Sequence, residues 1–203
     1  MTLLRIPTKS TLLLLLLLTV NSCAVSRMTE DMTFNPKMTE NGLIFGSITF
    51  PNEKAKYNGY FLNISSKSND LLNTKKNSTE IKFIPEQIFK MKHDGDIDNG
   101  LTYLFAVEKP EGEYQISSLR LFTNSGIAAL QRNDIIAGFS IPFKVKKGEI
   151  MYVGNICFNE YNSANRNAIT YKNNFEKDVK AMKNKQKFIY WQGAKNDSLR
   201  KIE

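Results

Sequence analysis

Seven short segments rich in β-branched and aromatic residues follow one another after residue 41, each bounded by turn-forming or polar residues. Short strands with turn signals between them are typical of an antiparallel β-sandwich. No long helical pattern alternates with them, as a parallel α/β sheet would require. We therefore predict a mainly β fold, an antiparallel β-sandwich of about seven strands with one C-terminal α-helix. The predicted strands are residues 42–50, 57–65, 81–84, 101–107, 113–122, 139–145 and 149–158.

Two turns in this series are predicted to close β-hairpins. Pro110 followed by Gly112 suits a tight reversal between the fourth and fifth strands, and Lys147-Gly148 reverses the chain between the last two. Pro142 lacks a backbone donor, so its strand should lie at a sheet edge or carry a bulge. One face of the last strand is expected to carry Ile150, Tyr152, Ile156 and Phe158.

A single amphipathic helix is predicted at about residues 174–187. An asparagine pair can cap its start, and Phe175, Val179 and Met182 recur at the spacing of one helical face. Lysines fill many of the other positions. In one interpretation they meet anionic headgroups or cell-wall polymer; in the other, which we favour, they form a solvated helix face. The apolar residues 188–191 should pack on the sheets.

Residues 1–22 have the order of a secretory signal peptide. Arg5 and Lys9 precede a run of leucines that is too short to span a bilayer. The segment that closes it, Val20-Asn21-Ser22-Cys23, resembles the lipobox of bacterial lipoproteins. That resemblance implies removal of residues 1–22, attachment of a diacylglycerol to the Cys23 thiol and acylation of the new amino group by a fatty acid such as palmitate.

The same resemblance implies a location in the bacterial cell envelope, where Ala24 after the cysteine favours the outer membrane. Residues 23–41 are polar and lack hydrophobic periodicity, so we predict a lipidated N-terminus and a flexible tether there. Thr33-Phe34 could instead dock on the domain as a short edge strand. Residues 42–203 are expected to form the β-sandwich domain with its helix.

A second resemblance extends over residues 42–187. The turn Pro110-Glu111-Gly112-Glu113-Tyr114, the later segment 145–158 and the helix that begins near Phe175 are similar to features of uncharacterised bacterial envelope lipoproteins with a prealbumin-like or immunoglobulin-like β-sandwich. The resemblance implies a fold and a compartment, and no particular activity.

The chain is basic, with a formal net charge of +8, of which residues 1–22 contribute two positive charges and no acid. An exported basic chain meets lipid headgroups and anionic polymers, and export argues against nucleic acid. We expect membrane attachment through Cys23 and either an envelope protein or an anionic polymer as partner. If lipid occupies Cys23, Cys157 has no intramolecular partner and is expected to be buried and inert.

Asp94, Asp96 and Asp98 form the one pattern that resembles a metal site. Alternating carboxylates are typical of the start of a Ca²⁺-binding loop, but the twelfth position is Phe105 and not glutamate. We therefore expect a solvated loop and no metal. His93, the single histidine, lacks the partners that zinc or a catalytic triad requires, and it is expected at the surface.

No nucleophile elbow, phosphate-binding loop or dinucleotide-binding pattern occurs in the sequence. Glu108, Glu111 and Glu113 cluster around a turn, where acids ordinarily face solvent. We predict no catalytic residue and no cofactor, and a non-enzymatic interaction or structural module. Two alternatives stay open: a hydrolase of envelope polysaccharide that uses loop carboxylates, and a carrier of small ligands, which needs an enclosed apolar cavity.

Overall fold

A computed structural model describes residues 24–26, 32–68, 77–87, 91–124, 131–163 and 168–198 of the protein. Within these ranges the chain forms eleven strands and one α-helix, so the mainly β prediction is confirmed and the strand count of about seven is too low. The four strands that the sequence did not predict, at residues 24–26, 132–136, 169–172 and 194–196, are short, and a short strand gives only a weak hydrophobic pattern. The elements are β1 (Ala24–Ser26), β2 (Asn41–Thr49), β3 (Gly59–Ser66), β4 (Thr79–Phe83), β5 (Thr102–Pro110), β6 (Gly112–Thr123), β7 (Arg132–Ile136), β8 (Ile141–Val145), β9 (Ile150–Phe158), β10 (Ile169–Lys172), α1 (Phe175–Lys185) and β11 (Ala194–Asn196).

The strands form two sheets. The first has the order β1-β4-β3-β6-β7, with β8 also paired to β6, and the second has the order β10-β9-β2-β5, with β11 also paired to β9. Three pairs are parallel: β1 with β4, β2 with β9, and β9 with β11. The prediction of antiparallel sheets is therefore wrong for these pairs. They join strands far apart in the chain, and local turn signals report only neighbouring strands.

Neither predicted hairpin forms. β5 belongs to the second sheet and β6 to the first, so the turn at residues 109–112 carries the chain from one sheet to the other. The turn at residues 146–148 does the same between β8 and β9. A strand that alternates apolar and polar residues has the same pattern whether its turn closes a hairpin or leads to the other sheet. β5 pairs with all nine residues of β2 and not with β6. Pro142 lies on β8, whose one partner among the described strands is β6, which confirms its edge position.

Both sheets contribute side chains to one buried apolar cluster, here called the inner core. Strands β3, β4, β6 and β8 of the first sheet and β2, β5 and β9 of the second supply it with residues from one face of each strand. Each large apolar side chain buried there contributes about 1.5–3 kcal/mol to folding. Its largest members include Phe50, Tyr60, Phe83, Tyr103, Phe105, Tyr114 and Phe158.

A second cluster, here called the outer cluster, lies on the other face of the second sheet. Leu43 and Phe45 of β2 and Tyr152 of β9 form its floor, and Val179 and Met182 of α1 cover it. The predicted helix is thus confirmed, together with the face that it buries. The helix begins with acids and ends with lysines, which is the charge order that the helix dipole favours.

The apolar segment after α1 packs as an alternating run. Ile189 and Trp191 are buried in the outer cluster, and the Trp191 indole donates a hydrogen bond to the Gln186 carbonyl at 2.9 Å. Phe188 and Tyr190 point the other way and are 68% and 65% exposed. The prediction that residues 188–191 pack on the sheets is therefore confirmed for every second residue.

A β-bulge in β9 changes which side chains face each cluster. The pairing of β9 with β2 shifts by one residue beside Gly154, whose φ of 108° lies in a region that other residues rarely adopt. Ile150 and Tyr152 face the outer cluster, whereas Ile156 and Phe158 face the inner core. The prediction that these four share one face is wrong, because the extra residue reverses the alternation.

Part of the predicted tether contacts the domain. β1 pairs with β4, and Phe34 is buried in the outer cluster, where it forms an isolated parallel bridge with Ile189. Phe34 therefore docks on the domain, but through one isolated bridge and not as the short edge strand expected of Thr33-Phe34. Among the described residues, no helix is long and apolar enough to cross a membrane.

Candidate functional site

His93 is completely buried against the inner core, so the prediction of a surface histidine is wrong. Its ring stacks on Phe50 with the centroids 4.0 Å apart. Its Nε2 atom lies 2.9 Å from Glu160 Oε1, and its Nδ1 atom lies 3.3 Å from the Tyr103 hydroxyl. Glu160 is distant in the sequence, so nothing beside His93 in the chain indicates that the histidine has a buried partner.

Glu160, in the 3₁₀ turn Glu160–Asn162 after β9, is equally buried and was not recognised from the sequence. Its Oε2 atom accepts hydrogen bonds from the Tyr60 hydroxyl and, at 2.8 Å, from the backbone N–H of Lys56. Burial, and then the charge and hydrogen bond of Glu160, raise the pKa of Tyr60 well above its ordinary value. The phenol therefore stays protonated and donates.

These side chains form a hydrogen-bonded network in which their buried polar atoms have partners. Both carboxylate oxygens of Glu160 and both ring nitrogens of His93 have partners, and the Tyr103 hydroxyl also accepts the backbone N–H of Asp94 at 2.9 Å. A buried network of this kind rigidifies the segments that it joins. Here it holds the segment before β3, through Lys56, against the 3₁₀ turn.

A cleft of about 490 Å³ opens beside this network. Its walls come from the segment before β3, from alternate residues of β6 and β7, and from the residue after the 3₁₀ turn. Alternate strand residues share a face, so the pleat turns each of these β6 and β7 side chains toward the same space. The lining residues are Lys56, Tyr57, Leu121, Thr123, Arg132, Asp134, Ile136 and Ser163.

Two cations and one acid set the charge of the cleft. Arg132 Nε lies 2.8 Å from Asp134 Oδ1. Lys56 makes no ion pair with any residue in the described ranges; its Nζ donates to the Glu160 carbonyl at 3.2 Å and lies 5.5 Å from the ring centroid of Tyr57. A carbonyl and an aromatic face hold an ammonium without neutralising it. The cleft therefore presents a fixed positive charge.

The loop of Asp94, Asp96 and Asp98, whose sequence resembles the start of a Ca²⁺-binding loop, is tied to α1 by ion pairs. Asp96 pairs with Lys185, and Asp98 Oδ2 lies 2.5 Å from Lys177 Nζ. Burial acts to raise the pKa of Asp98, but its hydrogen bonds to Lys177 and to a threonine hydroxyl lower it overall. In the part of the chain that the structure describes, no group of three or more acidic, histidine or cysteine residues is arranged to hold a metal ion. Asp96 and Asp98 fasten the helix to this loop.

A second buried polar group lies under α1. Asp178 Oδ2 accepts hydrogen bonds from the Ser47 hydroxyl at 2.5 Å and from the Tyr152 hydroxyl at 2.6 Å, and the Asn155 amide donates to Ser47 at 2.7 Å. Burial raises the pKa of Asp178 despite these donors. The contacts join α1 to β2 and β9, so this carboxylate fixes the position of the helix.

The other candidate residues lie away from the cleft or outside the described ranges. Glu108, Glu111 and Glu113 do not line it. Cys23, the predicted lipidation site, is not among the described residues. Cys157 is half-buried and is a free thiol; the bulge in β9 places it on the outer face, which explains why it is less buried than predicted.

No protein-family profile and no curated protein matches the chain. Among solved structures, it is similar to a leucine-rich repeat protein from Bacteroides thetaiotaomicron VPI-5482, at 16% sequence identity and a TM-score of 0.32. The similarity covers 60% of this chain and 14% of the length of that protein. A similarity of this degree carries no argument about fold or function.

Proposed function

We propose that the protein is a lipid-anchored protein of the bacterial cell envelope, whose β-sandwich domain is a non-enzymatic module that binds an anionic envelope polymer in the cleft. Cys23 would carry the lipid, and the outer membrane is the proposed location. The order of the first 23 residues supports the anchor. The charge of the chain, +8, of which only two positive charges lie in residues 1–22, supports an anionic partner.

The fixed charge of Lys56 carries the binding proposal. This side chain lines the cleft, its amine has no carboxylate partner in the described ranges, and its backbone is held by the buried Glu160. A cation that is positioned in advance loses little freedom when a ligand binds. Hydroxyl groups of Thr123 and Ser163 on the same walls suit a ligand rich in hydroxyl groups, as an acidic polysaccharide is.

The cleft favours binding over hydrolysis. Glycoside hydrolysis needs two carboxyl groups about 5–10 Å apart on either side of the bond. Asp134 is the one acid among the described lining residues, and Arg132 holds it in an ion pair. Glu160 lies beneath with both oxygens occupied. The mixture of charged, hydroxyl and apolar lining also suits a polymer better than a small apolar ligand, which would be enclosed.

The experiment that tests this function is binding of the full chain to polygalacturonate, a polymer of acidic sugars, with neutral dextran as the comparison. We expect binding to polygalacturonate alone, weakened about fivefold by Lys56→Gln and by Arg132→Gln, since one exposed charge contact is worth up to about 1 kcal/mol. Lys82→Gln, an exposed lysine on β4, is the matched control. Equal losses in all three variants, or equal binding of dextran, would reject the cleft as the site.

The anchor is tested separately by metabolic labelling with radioactive palmitate. We expect label on the wild-type chain and none on Cys23→Ala, whereas Cys157→Ala should be labelled as the wild type is. Label that persists on Cys23→Ala would show that the lipid is attached elsewhere.

A further inference from the structure

Two exposed aromatic side chains stand side by side after α1. Phe188 and Tyr190 are more than half exposed, whereas their neighbours Ile189 and Trp191 are buried. The alternation fixes their direction, since the buried pair anchors the segment in the outer cluster. Because the backbone already holds these aromatic side chains outward, they lose little conformational entropy when they enter an apolar environment outside the protein.

Unpaired lysines precede these aromatic residues in the chain. Lys180 and Lys183 on α1, and Lys187 after it, are exposed and make no ion pair with the described part of the chain. Lys177 and Lys185 differ, because Asp98 and Asp96 neutralise them. The lysines of the helix thus divide into two that fasten it and three, counting Lys187, that face solvent with their full charge.

The N-terminal segment contacts the domain at two places: β1, directly after Cys23, pairs with β4 of the first sheet, and Phe34 lies beside the exposed aromatic residues. Phe34 bridges Ile189, which lies between the two exposed aromatic residues. Phe34 is eleven residues after Cys23, and a chain of that length extends at most about 40 Å. A lipid on Cys23 would therefore keep the surface around Phe188 and Tyr190 within this distance of the bilayer.

We propose that this surface lies on the anionic headgroups of the membrane that holds the Cys23 lipid. It is here called the aromatic-basic surface and consists of Lys180, Lys183, Lys187, Phe188 and Tyr190. Lysines attract anionic lipid, and aromatic rings settle at the level of the headgroups. The inference rests on the proposed lipid anchor, and it gives the module a fixed orientation on the membrane.

Trp191, the single tryptophan of the chain, is a built-in probe because it directly follows Tyr190. The full lipidated chain is reconstituted in vesicles whose headgroups carry a nitroxide, which quenches tryptophan fluorescence at short range. We expect quenching in vesicles that contain phosphatidylglycerol and little in pure phosphatidylcholine. Combined replacement of Lys180, Lys183 and Lys187 by Gln should reduce the quenching about twofold or more, as each lysine near an anionic surface contributes about a fivefold factor in partitioning.

Replacement of Phe188 and Tyr190 by Ser should reduce the quenching as well. The charge-matched control replaces three other exposed lysines, Lys54, Lys82 and Lys144, by Gln, and should leave it unchanged. Circular dichroism checks that each variant is folded.

Flotation of the vesicles separates the two proposals. A chain that floats but shows no quenching in phosphatidylglycerol vesicles is anchored without this contact, which overturns the aromatic-basic surface alone. Quenching that is equal in both kinds of vesicle and in the lysine variant overturns the electrostatic contact. A chain that does not float overturns the anchor, and the orientation inferred from it.

Discussion

Residues that look unremarkable in the sequence hold this fold together. Glu160 and His93 are 67 positions apart, yet they meet in the interior with Tyr60 and Tyr103 around them. A buried carboxylate is tolerated where each of its oxygens has a donor. The network therefore determines where the segment of Lys56 lies, and through it one wall of the cleft.

Glu160→Ala should lower the free energy of unfolding by about 3 kcal/mol. The change leaves the hydroxyl of Tyr60, the ring of His93 and the N–H of Lys56 buried without their acceptor, and each unpaired group costs about 1–3 kcal/mol. Urea unfolding gives the value. Glu86→Ala, which removes an exposed glutamate, should change it by less than about 0.5 kcal/mol. Similar losses in both variants would show that the buried network contributes no more to the free energy of unfolding than an exposed glutamate does.

Lys109 is a buried cation of the fold. Its amine donates to the Asn77 carbonyl at 2.7 Å and to the Thr79 hydroxyl, and burial lowers its pKa from 10.5 to about 8. Between these values the unfolded chain binds the proton more tightly than the folded one. The free energy of unfolding should therefore rise as the pH increases from 8 to 10.5, and it carries the full cost of the buried charge below pH 8.

Lys109→Met should remove this rise. The other titrating groups are the same in the variant and the wild type, so their effect cancels in the difference between the two unfolding free energies. This difference is measured at pH 7.5 and again at pH 10.5. We expect that difference to move in favour of the wild type by up to about 3 kcal/mol over the range. Lys82→Met, at an exposed position, supplies the comparison. Parallel curves for wild type and Lys109→Met would contradict the pKa of Lys109.

At the scale of elements, the bulge in β9 is what allows one strand to serve two clusters. Tyr152, before Gly154, faces the outer cluster, and Ile156, after it, faces the inner core. Without the bulge, two residues four positions apart would face the same side of the strand. Tyr171 of β10 crosses this point and donates its hydroxyl to the Val153 carbonyl at 2.6 Å. A side chain at position 154 would overlap the Tyr171 ring.

Gly154→Ala should therefore destabilise the protein by about 3 kcal/mol, from the cost of a positive φ and from the clash with Tyr171. Thermal and urea unfolding measure the loss. Gly138→Ala is the matched control, because Gly138 also has a positive φ, of 87°, but has open space around it. Its expected cost is the backbone strain alone, about 1–2 kcal/mol. Equal losses of stability at both positions would show that the clash with Tyr171 contributes nothing to the effect.

For the whole molecule, the second sheet is shared by two layers of packing. β2, β5 and β9 contribute to the inner core on one face and to the outer cluster on the other. Loss of either cluster exposes the same three strands. The two layers should consequently unfold together rather than one after the other.

This cooperativity can be measured with two probes in one urea titration. Fluorescence of Trp191 reports the outer cluster, and far-ultraviolet circular dichroism reports both sheets. We expect the same midpoint for the two signals. A fluorescence transition at a lower urea concentration would mean that α1 and the segment of Trp191 detach while the sheets remain folded.

The sequence by itself determined the strand-rich class, the ranges of all seven predicted strands to within about three residues at each end, and α1 with its buried residues Val179 and Met182. These are properties of local periodicity, and they depend on residues within one or two turns of one another. The same pattern included Phe139 and Ser140 in the predicted strand 139–145, but β8 begins after them, at Ile141. The predicted lipid anchor at Cys23 is local in the same sense, and it stays a prediction.

Only the tertiary structure decided which strands pair, which sheet each turn leads to, and which polar residues are buried. The pattern of β5 fits a hairpin with β6 as well as it fits β2, and the choice is made by the side chains that two complete sheets bury between them. His93 became an interior residue for the same reason. Its partners Glu160 and Tyr103 lie on separate elements that meet only when both sheets are in place, so the cleft beside them has no signature in the linear sequence.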